Sequence, residues 1–311
     1  MSRLARSALF ALAFLGAPVL AQSDSERVLA DDPAFVPQRL QLVDVPQATG
    51  PAITLFNGRD LDGWTTWLGY KDPALTYRVK PAEPIGAGKG IGTIFKVVQE
   101  DGAPALYVNG KTWGSIVNER VLENYHLRLE YKWSGKRYAP RLDQPENNGL
   151  LYHSDGAPGS VFGTWMPAVE FEIMKGSTGM VVPVGSHVKV RTEVGGDRAI
   201  IFPHRRFMAG GREIVVEQPA WNVENGRDAE RPVGVWNTLD LYVLGDRAIH
   251  VVNGVPVMEV RGLTTTDASG RTSALTRGRI QFQSEGAETF FRNITIEPIA
   301  AMPRIVEIDG R

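Results

Sequence analysis

The chain of 311 residues lacks cysteine, which excludes disulfide bonds, thiolate metal ligands and cysteine nucleophiles. It also lacks an excess of charge of one sign, because 34 Lys and Arg residues are balanced by 35 Asp and Glu residues. A net charge of −1 gives no electrostatic basis for binding nucleic acid or an anionic membrane. The sequence shows no helical hydrophobic period of useful length and no internal repeat. These absences indicate a globular protein built mainly from strands and turns.

A long apolar run occurs at the N-terminus, where residues 8 to 20 follow Arg3 and Arg6 and precede the small residue Ala21. A basic start, a short apolar run and a small residue are typical of a secretory signal peptide. We therefore predict cleavage near Ala21, a periplasmic or secreted mature chain, and no membrane attachment after cleavage. A membrane anchor is the alternative, although the run is shorter than the roughly 20 residues that a spanning helix needs.

Strand patterns begin after a polar segment, residues 22 to 50, which we predict to be an extended lead-in. From residue 51 to residue 300, short apolar or alternating runs are separated by turn sequences such as Asn253-Gly254. Many short strands with turns between them are typical of a sandwich. We predict an all-β domain of two antiparallel sheets packed face to face over residues 51–300, followed by a tail over residues 301–311.

Two distant stretches carry the candidate site. One contains NNGLLYH, AVEFEIMKGSTG and GSHVKV, and the other reads GRIQFQSEGAETFFRNITIEP. In the first, Glu170 and Glu172 lie two residues apart, so they share one open, polar face of a strand while Phe171 faces the core. Because like charges repel, one carboxyl pKa tends to rise, and the pair could supply an acid beside a base. A solvated strand face with salt-bridge partners is the alternative.

Together with ITLFNGRDLDGW at residues 53 to 64, these segments resemble the 3-keto-disaccharide hydrolase family. The resemblance implies a lectin- or glucanase-like jelly roll, an exported location, and action on glycosides that are oxidised at C3 of the sugar. It also implies that Glu170 is the functional carboxylate, because family members usually have Glu at that position and often have Gln at the position of Glu172. The presence of Glu172 is therefore a departure from the family pattern.

Three further residues are candidates for chemistry beside the glutamates. His153 ends NNGLLYH, where many family members have Arg, and a histidine can exchange a proton near neutral pH or bind a metal. Lys132 lies on the polar face of a predicted strand, and Lys175 follows the glutamate strand. Either lysine could stabilise the negative charge of an enolate. Each of the three also fits an ordinary surface residue.

Six residues are candidates for substrate binding, because amides hydrogen-bond to hydroxyl groups and aromatic rings stack on the C–H faces of sugars. They are Asn147, Asn148, Tyr152, Trp165, Gln281 and Gln283. We prefer Trp165 as the stacking platform, because it precedes the glutamate strand. The asparagine pair fits equally well a turn that starts a strand, and core packing is the alternative for any tryptophan.

Metal and cofactor motifs are sparse. Residue spacings of a familiar zinc site do not occur, so we name no metal ligands, and no nucleophile elbow, Walker loop or dinucleotide fingerprint is present. The segment from residue 143 to residue 148 is rich in oxygen atoms and is a candidate site for a divalent cation such as calcium.

We expect a carbohydrate substrate. Following the resemblance, we expect cleavage of 3-keto-glycosides by C2 proton abstraction, elimination and hydration, with Glu170 or His153 as the base. Lys132, Lys175 or a bound cation would stabilise the enolate. Two alternatives remain open, namely an ordinary two-carboxylate glycoside hydrolase and a non-catalytic, lectin-like carbohydrate-binding protein.

Overall fold

The structure is a computed structural model that describes residues 36–78, 82–195, 205–218 and 222–308. The predicted signal peptide and residues 22–35 of the predicted lead-in lie outside the described residues. The division of the chain into signal peptide, lead-in, domain and tail therefore stays a prediction. Within the described ranges, no helix has the length and apolar character needed to cross a membrane.

Almost all regular structure is β-strand, apart from a 3-10 turn over Pro73–Leu75. The first ten strands are β1 Leu40–Val43, β2 Ile53–Thr54, β3 Trp64–Leu68, β4 Gly86–Ala87, β5 Phe95–Glu100, β6 Ala103–Val108, β7 Gly114–Asn118, β8 Tyr125–Arg137, β9 Asn147–Ser154 and β10 Ala168–Met174. The remaining strands are β11 Val181–Val184, β12 Val188–Val194, β13 Arg212–Val216, β14 Asn237–Leu244, β15 Arg247–Val252, β16 Val255–Thr266, β17 Thr272–Ala274, β18 Arg279–Ser284, β19 Ala287–Pro298 and β20 Arg304–Glu307.

The strands form two large antiparallel sheets. The front sheet has seven strands in the order β11-β10-β9-β18-β7-β3-β4. The back sheet has eleven strands, with β13-β12-β16-β15-β14-β8-β19-β6-β5 as its main order, β17 beside β16 and β2 beside β19. A small sheet of β1 and β20 joins the two ends of the described chain. This architecture confirms the predicted all-β sandwich of the lectin-like, jelly-roll class.

Alternation along the strands places the main core between the two sheets. On β8 of the back sheet, Leu127 and Leu129 are fully buried in this core, and Arg128 between them points outward to solvent. Phe282 of the front sheet meets Phe291 of the back sheet, with ring centroids 4.6 Å apart. The predicted periodicity therefore gave the correct inward face of these strands.

A second apolar cluster differs from the sequence-based expectation, because it lies on the outer face of the front sheet. Strands β9 and β10 are buried along their whole length, which requires cover on both faces. The cluster consists of Trp113, Leu151, Val161, Trp165, Ala168, Met174, Met180, Val182 and Val184. The outer face was expected to be open and polar, but it is partly apolar and covered.

Candidate active site

Glu170 and Glu172 lie side by side on the outer face of the front sheet, as the two-residue period of β10 predicted. The strand register pairs Glu170 with Leu151 of β9 on one side and with Val182 of β11 on the other. Both glutamates line a cavity of about 370 Å³. Their residues are only 3% and 5% exposed, so the site is enclosed and is not a solvated strand face.

Loops outside the sheet provide the cover. The segment from residue 138 to residue 146 contributes Arg141 to the cavity wall, and the segment from residue 155 to residue 167 contributes Phe162 and Trp165. Tyr77, in the loop after the 3-10 turn, completes an aromatic rim, with its ring centroid 5.2 Å from that of Phe162. Trp165 therefore lies in the cavity wall, and its role as a stacking residue stays a prediction.

Burial raises the pKa of both glutamates, because an apolar surrounding disfavours the charged carboxylate. For Glu170 the next causes are the negative charges of Glu172 and Glu285. For Glu172 the charge of Glu285 follows burial, and together they raise its pKa to about 8. The two carboxyl groups interact directly with each other, so burying them together favours a proton on the pair. The pair therefore keeps its protons at neutral pH, and Glu172 becomes a charged base beside a protonated Glu170 as the pH rises through about 8.

The environment distinguishes the two members of the pair. Burial is the largest cause of the raised pKa of both groups, and their titration belongs to the pair, but their neighbours differ. Asn147 hydrogen-bonds to Glu172 and lowers its pKa, whereas Glu170 has apolar neighbours on both adjacent strands. Glu170 is therefore placed as the acid and Glu172 as the carboxylate.

Gly149 on β9 provides the space in which these groups meet. It pairs in register with Glu172. A methyl group at Gly149 would lie well inside 3.0 Å of both the Oε1 atom of Glu170 and the Oε1 atom of Gln283. Because glycine has no side chain, Glu170 and Gln283 can approach each other across this position in the strand. Gln283 of β18 reaches the cavity in this way, as its prediction as a binding residue required.

An ion pair forms the polar wall opposite the glutamates. The Nη2 atom of Arg141 lies 2.6 Å from the Oε1 atom of Glu285, and the hydroxyl of Tyr77 donates to the same oxygen over 3.1 Å. The guanidinium carbon of Arg141 lies 5.5 Å from the ring centroid of Trp113. A fixed cation, a third carboxylate and a phenol therefore converge on the cavity beside the glutamate pair.

The predicted catalytic role of His153 is not supported by its position. Its backbone has a φ of 50°, which interrupts the alternation of β9. The imidazole is fully buried, with Nε2 3.3 Å from the carbonyl oxygen of Gly245, in the turn between β14 and β15 of the back sheet. Burial lowers the pKa of His153 to about 4. His153 does not line the carboxylate cavity, so it is not placed to act as the base there.

The two predicted lysines also lie away from the cavity. Lys132 belongs to β8 of the back sheet, where its Nζ atom is ion-paired with Glu100 and lies 2.6 Å from Asp101. The alternation of a strand shows which face a side chain takes, but it does not show which sheet the strand joins. Lys175 is exposed beyond the end of β10 and does not line the cavity. Neither lysine is placed to stabilise an enolate at the glutamates.

Three predicted binding residues face elsewhere. Asn148 donates to the Thr289 hydroxyl over 2.9 Å, and the hydroxyl of Tyr152 lies 3.1 Å from Nε2 of His250, so both side chains lie between the sheets. The physical reason is the alternation of β9, which turns residues 148 and 152 to the core and Asn147 to the outer face. Gln281 donates to the Ser154 hydroxyl over 2.7 Å and does not line the cavity.

The sequence analysis missed Arg141, Glu285 and Tyr77. Glu285 had a signal, because it continues the two-residue period of Gln281 and Gln283 just beyond the end of β18. Arg141 and Tyr77 lie in loops, where no periodic pattern marks their direction.

The described residues do not form a cluster of metal ligands at the candidate cation site. No group of three or more His, Cys, Asp or Glu residues suited to a metal ion occurs among the residues described. In the segment from residue 143 to residue 148, the side chains of Asn147 and Asn148 point to opposite faces of the sheet, towards Glu172 and Thr289. Cation binding therefore stays a prediction that rests on the sequence.

Comparisons with known proteins add a family to this geometry. The family model of the 3-keto-alpha-glucoside-1,2-lyase-like domain matches residues 51–297. A search of curated proteins finds no match. One similar solved structure is a Parabacteroides distasonis protein that is described as a glycosyl hydrolase by prediction only. Its sequence is 16% identical to this chain and its TM-score is 0.44. The match covers 80% of this chain and 94% of the Parabacteroides chain.

Two further structures come from Bacillus subtilis. The carbohydrate-binding module CBM66 is 12% identical with a TM-score of 0.38, and the match covers 76% of this chain and 95% of the module. A protein of unknown function with a galectin-like fold is 10% identical with a TM-score of 0.39, covering 67% and 88%. We draw no functional conclusion from these structures. The family model spans most of the sequence and confirms the resemblance, so the chain belongs to the 3-keto-disaccharide hydrolase family of 3-keto-alpha-glucoside-1,2-lyase-like domains, and it is a carbohydrate-active protein.

Proposed function

We propose that this protein is an exported enzyme that cleaves the glycosidic bond of 3-keto-glycosides by elimination and hydration. The observation that carries the proposal is the pair of Glu170 and Glu172, buried side by side in an enclosed cavity. Burying two like-charged groups together is unfavourable for stability, and such arrangements concentrate at functional sites. Family membership supports the substrate class. Export rests on the signal-like segment at the N-terminus.

In the first step the carboxylate of Glu172 removes the proton from C2, which the neighbouring C3 ketone makes acidic. The electron pair moves onto the C3 oxygen and forms an enolate. The enolate then collapses to restore the ketone, a C1–C2 double bond forms, and the C1–O bond breaks. Glu170 gives its proton to the departing oxygen. Water finally adds its hydroxyl group to C1 and a proton to C2, which yields a 3-keto sugar.

The spacing of the pair favours elimination over ordinary hydrolysis. The C2 hydrogen and the C1 oxygen sit on neighbouring carbons, so an acid and a base that touch each other can serve both. A two-carboxylate hydrolase instead holds its carboxyl groups roughly 5 to 10 Å apart across the scissile bond. Glu170 and Glu172 are instead side-by-side carboxyl groups that interact directly, which suits a shared acid–base role better than two groups held apart across a bond.

Arg141 takes the role of charge stabiliser that the sequence analysis gave to Lys132, Lys175 or a cation. Its guanidinium lines the cavity, is held by Glu285 and carries five N–H donors. A fixed cation beside the carboxyl pair can meet the negative charge that develops on the C3 oxygen. Gln283 lines the same cavity and would position the sugar.

The test is release of 3-keto-glucose from 3-keto-glucosides by the mature protein, with and without EDTA. We expect Glu172→Gln to abolish release with every leaving group, because proton abstraction is lost. Glu170→Gln should abolish release of methanol but retain release of 4-nitrophenol, which departs without a proton. Glu213→Gln, on exposed strand β13 of the back sheet, is the matched control and should keep full activity.

Full activity of Glu170→Gln on the methyl substrate would overturn the assignment of the acid. Loss of release in EDTA would move the charge stabiliser from Arg141 to a cation. Binding of sugars without turnover of any 3-keto-glucoside would favour the lectin-like alternative and overturn the proposed function.

A further inference from the structure

The cavity has two chemically different walls, with the glutamate pair at the boundary. Across the front sheet, the order β11-β10-β9-β18 places the valines of β11 on one side of β10 and Gln283 of β18 on the other. Gly149 leaves the intervening position on β9 without a side chain. Gln283 therefore reaches Glu170 across Gly149 from the β18 side, whereas Val182 lies beside Glu170 on the β11 side.

The apolar wall is formed by neighbouring side chains of the paired strands β10 and β11. Val182 pairs with Glu170, and Val184 pairs with Ala168, the preceding residue on the same outer face of β10. Met174, Met180 and Trp165 extend this wall, and the side chains belong to one packed apolar cluster. The polar wall consists of Arg141, Gln144, Gln283 and Glu285 together with the hydroxyl of Tyr77.

A free sugar would match only one of these walls. Its hydroxyl groups can bond to arginine, glutamine and carboxylate groups, but they would lose hydrogen bonds to water against valine and methionine side chains. An apolar group on the other end of the ligand gains free energy on the same surface. Methionine adapts its shape to different apolar partners, which suits a wall that accepts more than one such group.

We propose that the apolar wall is an aglycone subsite, and that the preferred substrates are glycosides whose aglycone is an apolar alkyl or aryl group. This inference rests on the proposed function. The sugar ring occupies the polar wall with its C1–O bond above Glu170. The aglycone then extends over Val182 and Val184 towards Met180 and Trp165.

The test is a series of 3-keto-glucosides with methyl, butyl and octyl aglycones, whose leaving oxygens have similar basicity. We expect kcat/KM to rise by about fourfold for each added methylene group until the wall is filled. Val182→Thr and Val184→Thr keep the side-chain shape but add a hydroxyl group, so they should flatten the series. Val215→Thr, at an exposed valine of β13, is the matched control and should leave the series unchanged.

Calorimetric titration with the unoxidised methyl and octyl glucosides separates this inference from the proposed function. If no 3-keto-glucoside is cleaved, tighter binding of the octyl compound that Val182→Thr weakens would still support the subsite. Equal kcat/KM and equal affinity across the series would overturn it, even if every compound is cleaved. A slope that both valine variants leave unchanged would also overturn it, because the aglycone would then lie elsewhere.

Discussion

At the scale of single residues, Glu172 connects the chemistry of the site with the stability of the fold. Burial and the charge of Glu285 raise its pKa to about 8, above the ordinary value of 4.5 that an unfolded chain would show. Between these pH values the folded protein keeps a proton that the unfolded chain releases. The free energy of unfolding therefore falls as pH rises through this window, by at most about 1.4 kcal/mol per pH unit for one group.

Glu172→Gln removes this pH-dependent penalty, because glutamine stays neutral. We expect the melting temperature of Glu172→Gln to exceed that of the wild type, by a margin that grows from pH 5 to pH 9. Glu213→Gln is the contrasting control. The hydrogen bond from Arg261 is the main cause that lowers the pKa of Glu213. The Glu213 side chain is therefore ionised throughout this pH range. The change in melting temperature caused by Glu213→Gln should therefore be the same at every pH in this range. If the change caused by Glu172→Gln were also independent of pH, that result would contradict a buried, protonated pair.

Gly149 provides a second prediction at this scale. In Gly149→Ala the new methyl group would overlap Glu170 Oε1 and Gln283 Oε1, so the carboxyl group must move from its partner. We expect the rate of 3-keto-glucoside cleavage to fall by about a hundredfold, since a shift of about 1 Å in a reacting group has that effect. Steady-state kinetics and circular dichroism would check the loss and the fold.

Gly50→Ala is the control for that substitution. Its added methyl group meets only a side-chain carbon of Pro298, at 3.2 Å, far from the cavity residues. Unchanged kinetics in Gly149→Ala would show that the glutamates do not need this space.

At the scale of elements, the strands are the part of the structure that could be predicted from the sequence. The two-residue period correctly gave the inward face of β8 and the common face of Glu170 and Glu172 on β10. The period alone did not assign β8 to the back sheet, so Lys132 was wrongly grouped with the glutamates. A backbone with φ of 50° at His153 broke the period of β9, and a sequence pattern does not reveal such a local change.

The loop residues of the site are the part that could not be predicted from the sequence. Arg141 reaches Glu285 from the segment between β8 and β9, and Tyr77 reaches the same carboxylate from the segment after Leu75. Their contacts join positions 144 and 208 residues apart, so no local pattern encodes them. The expectation of an open face failed for this reason, because these loops bury the glutamates.

The pairing of Arg141 with Glu285 makes a prediction that separates stability from activity. Arg141→Met leaves a buried carboxylate without its cation, so we expect a loss of about 3 to 5 kcal/mol in the free energy of unfolding. Combining Arg141→Met with Glu285→Met removes both charges and should restore most of that stability. The double variant should stay inactive, because the cation proposed to stabilise the enolate is gone.

Urea unfolding and release of 3-keto-glucose would measure the two properties on the same samples. Recovery of activity together with stability in the double variant would show that Arg141 is needed for folding only.

At the scale of the whole molecule, the front sheet is covered on both faces. Its inner face packs on the back sheet through aromatic pairs such as Phe282 and Phe291, and its outer face is covered by loops around the cavity. A sandwich of two sheets followed from the composition and turn spacing, because many short strands need a common core. The enclosed cavity did not follow, because it depends on which loops fold over which sheet.

This enclosure is what makes the proposed chemistry reasonable for the molecule. A carboxyl pair on an open sheet would be solvated and fully ionised near neutral pH, whereas a buried pair keeps its protons to higher pH and can supply an acid and a base. The same enclosure places an apolar wall next to that pair, which is the surface that we propose to bind the aglycone.

Abstraction of the C2 proton is the central claim, and the most direct measurement is a kinetic isotope effect on it. The mature protein would be given 3-keto-trehalose with either hydrogen or deuterium at C2, and kcat/KM for release of 3-keto-glucose would be compared. We predict that the deuterated substrate is cleaved more slowly, because the C2–H bond breaks in the step that Glu172 catalyses. Equal rates for the two substrates, with no exchange of the C2 hydrogen in deuterated water and with cleavage still dependent on Glu170 and Glu172, would contradict elimination and point to direct hydrolysis at C1.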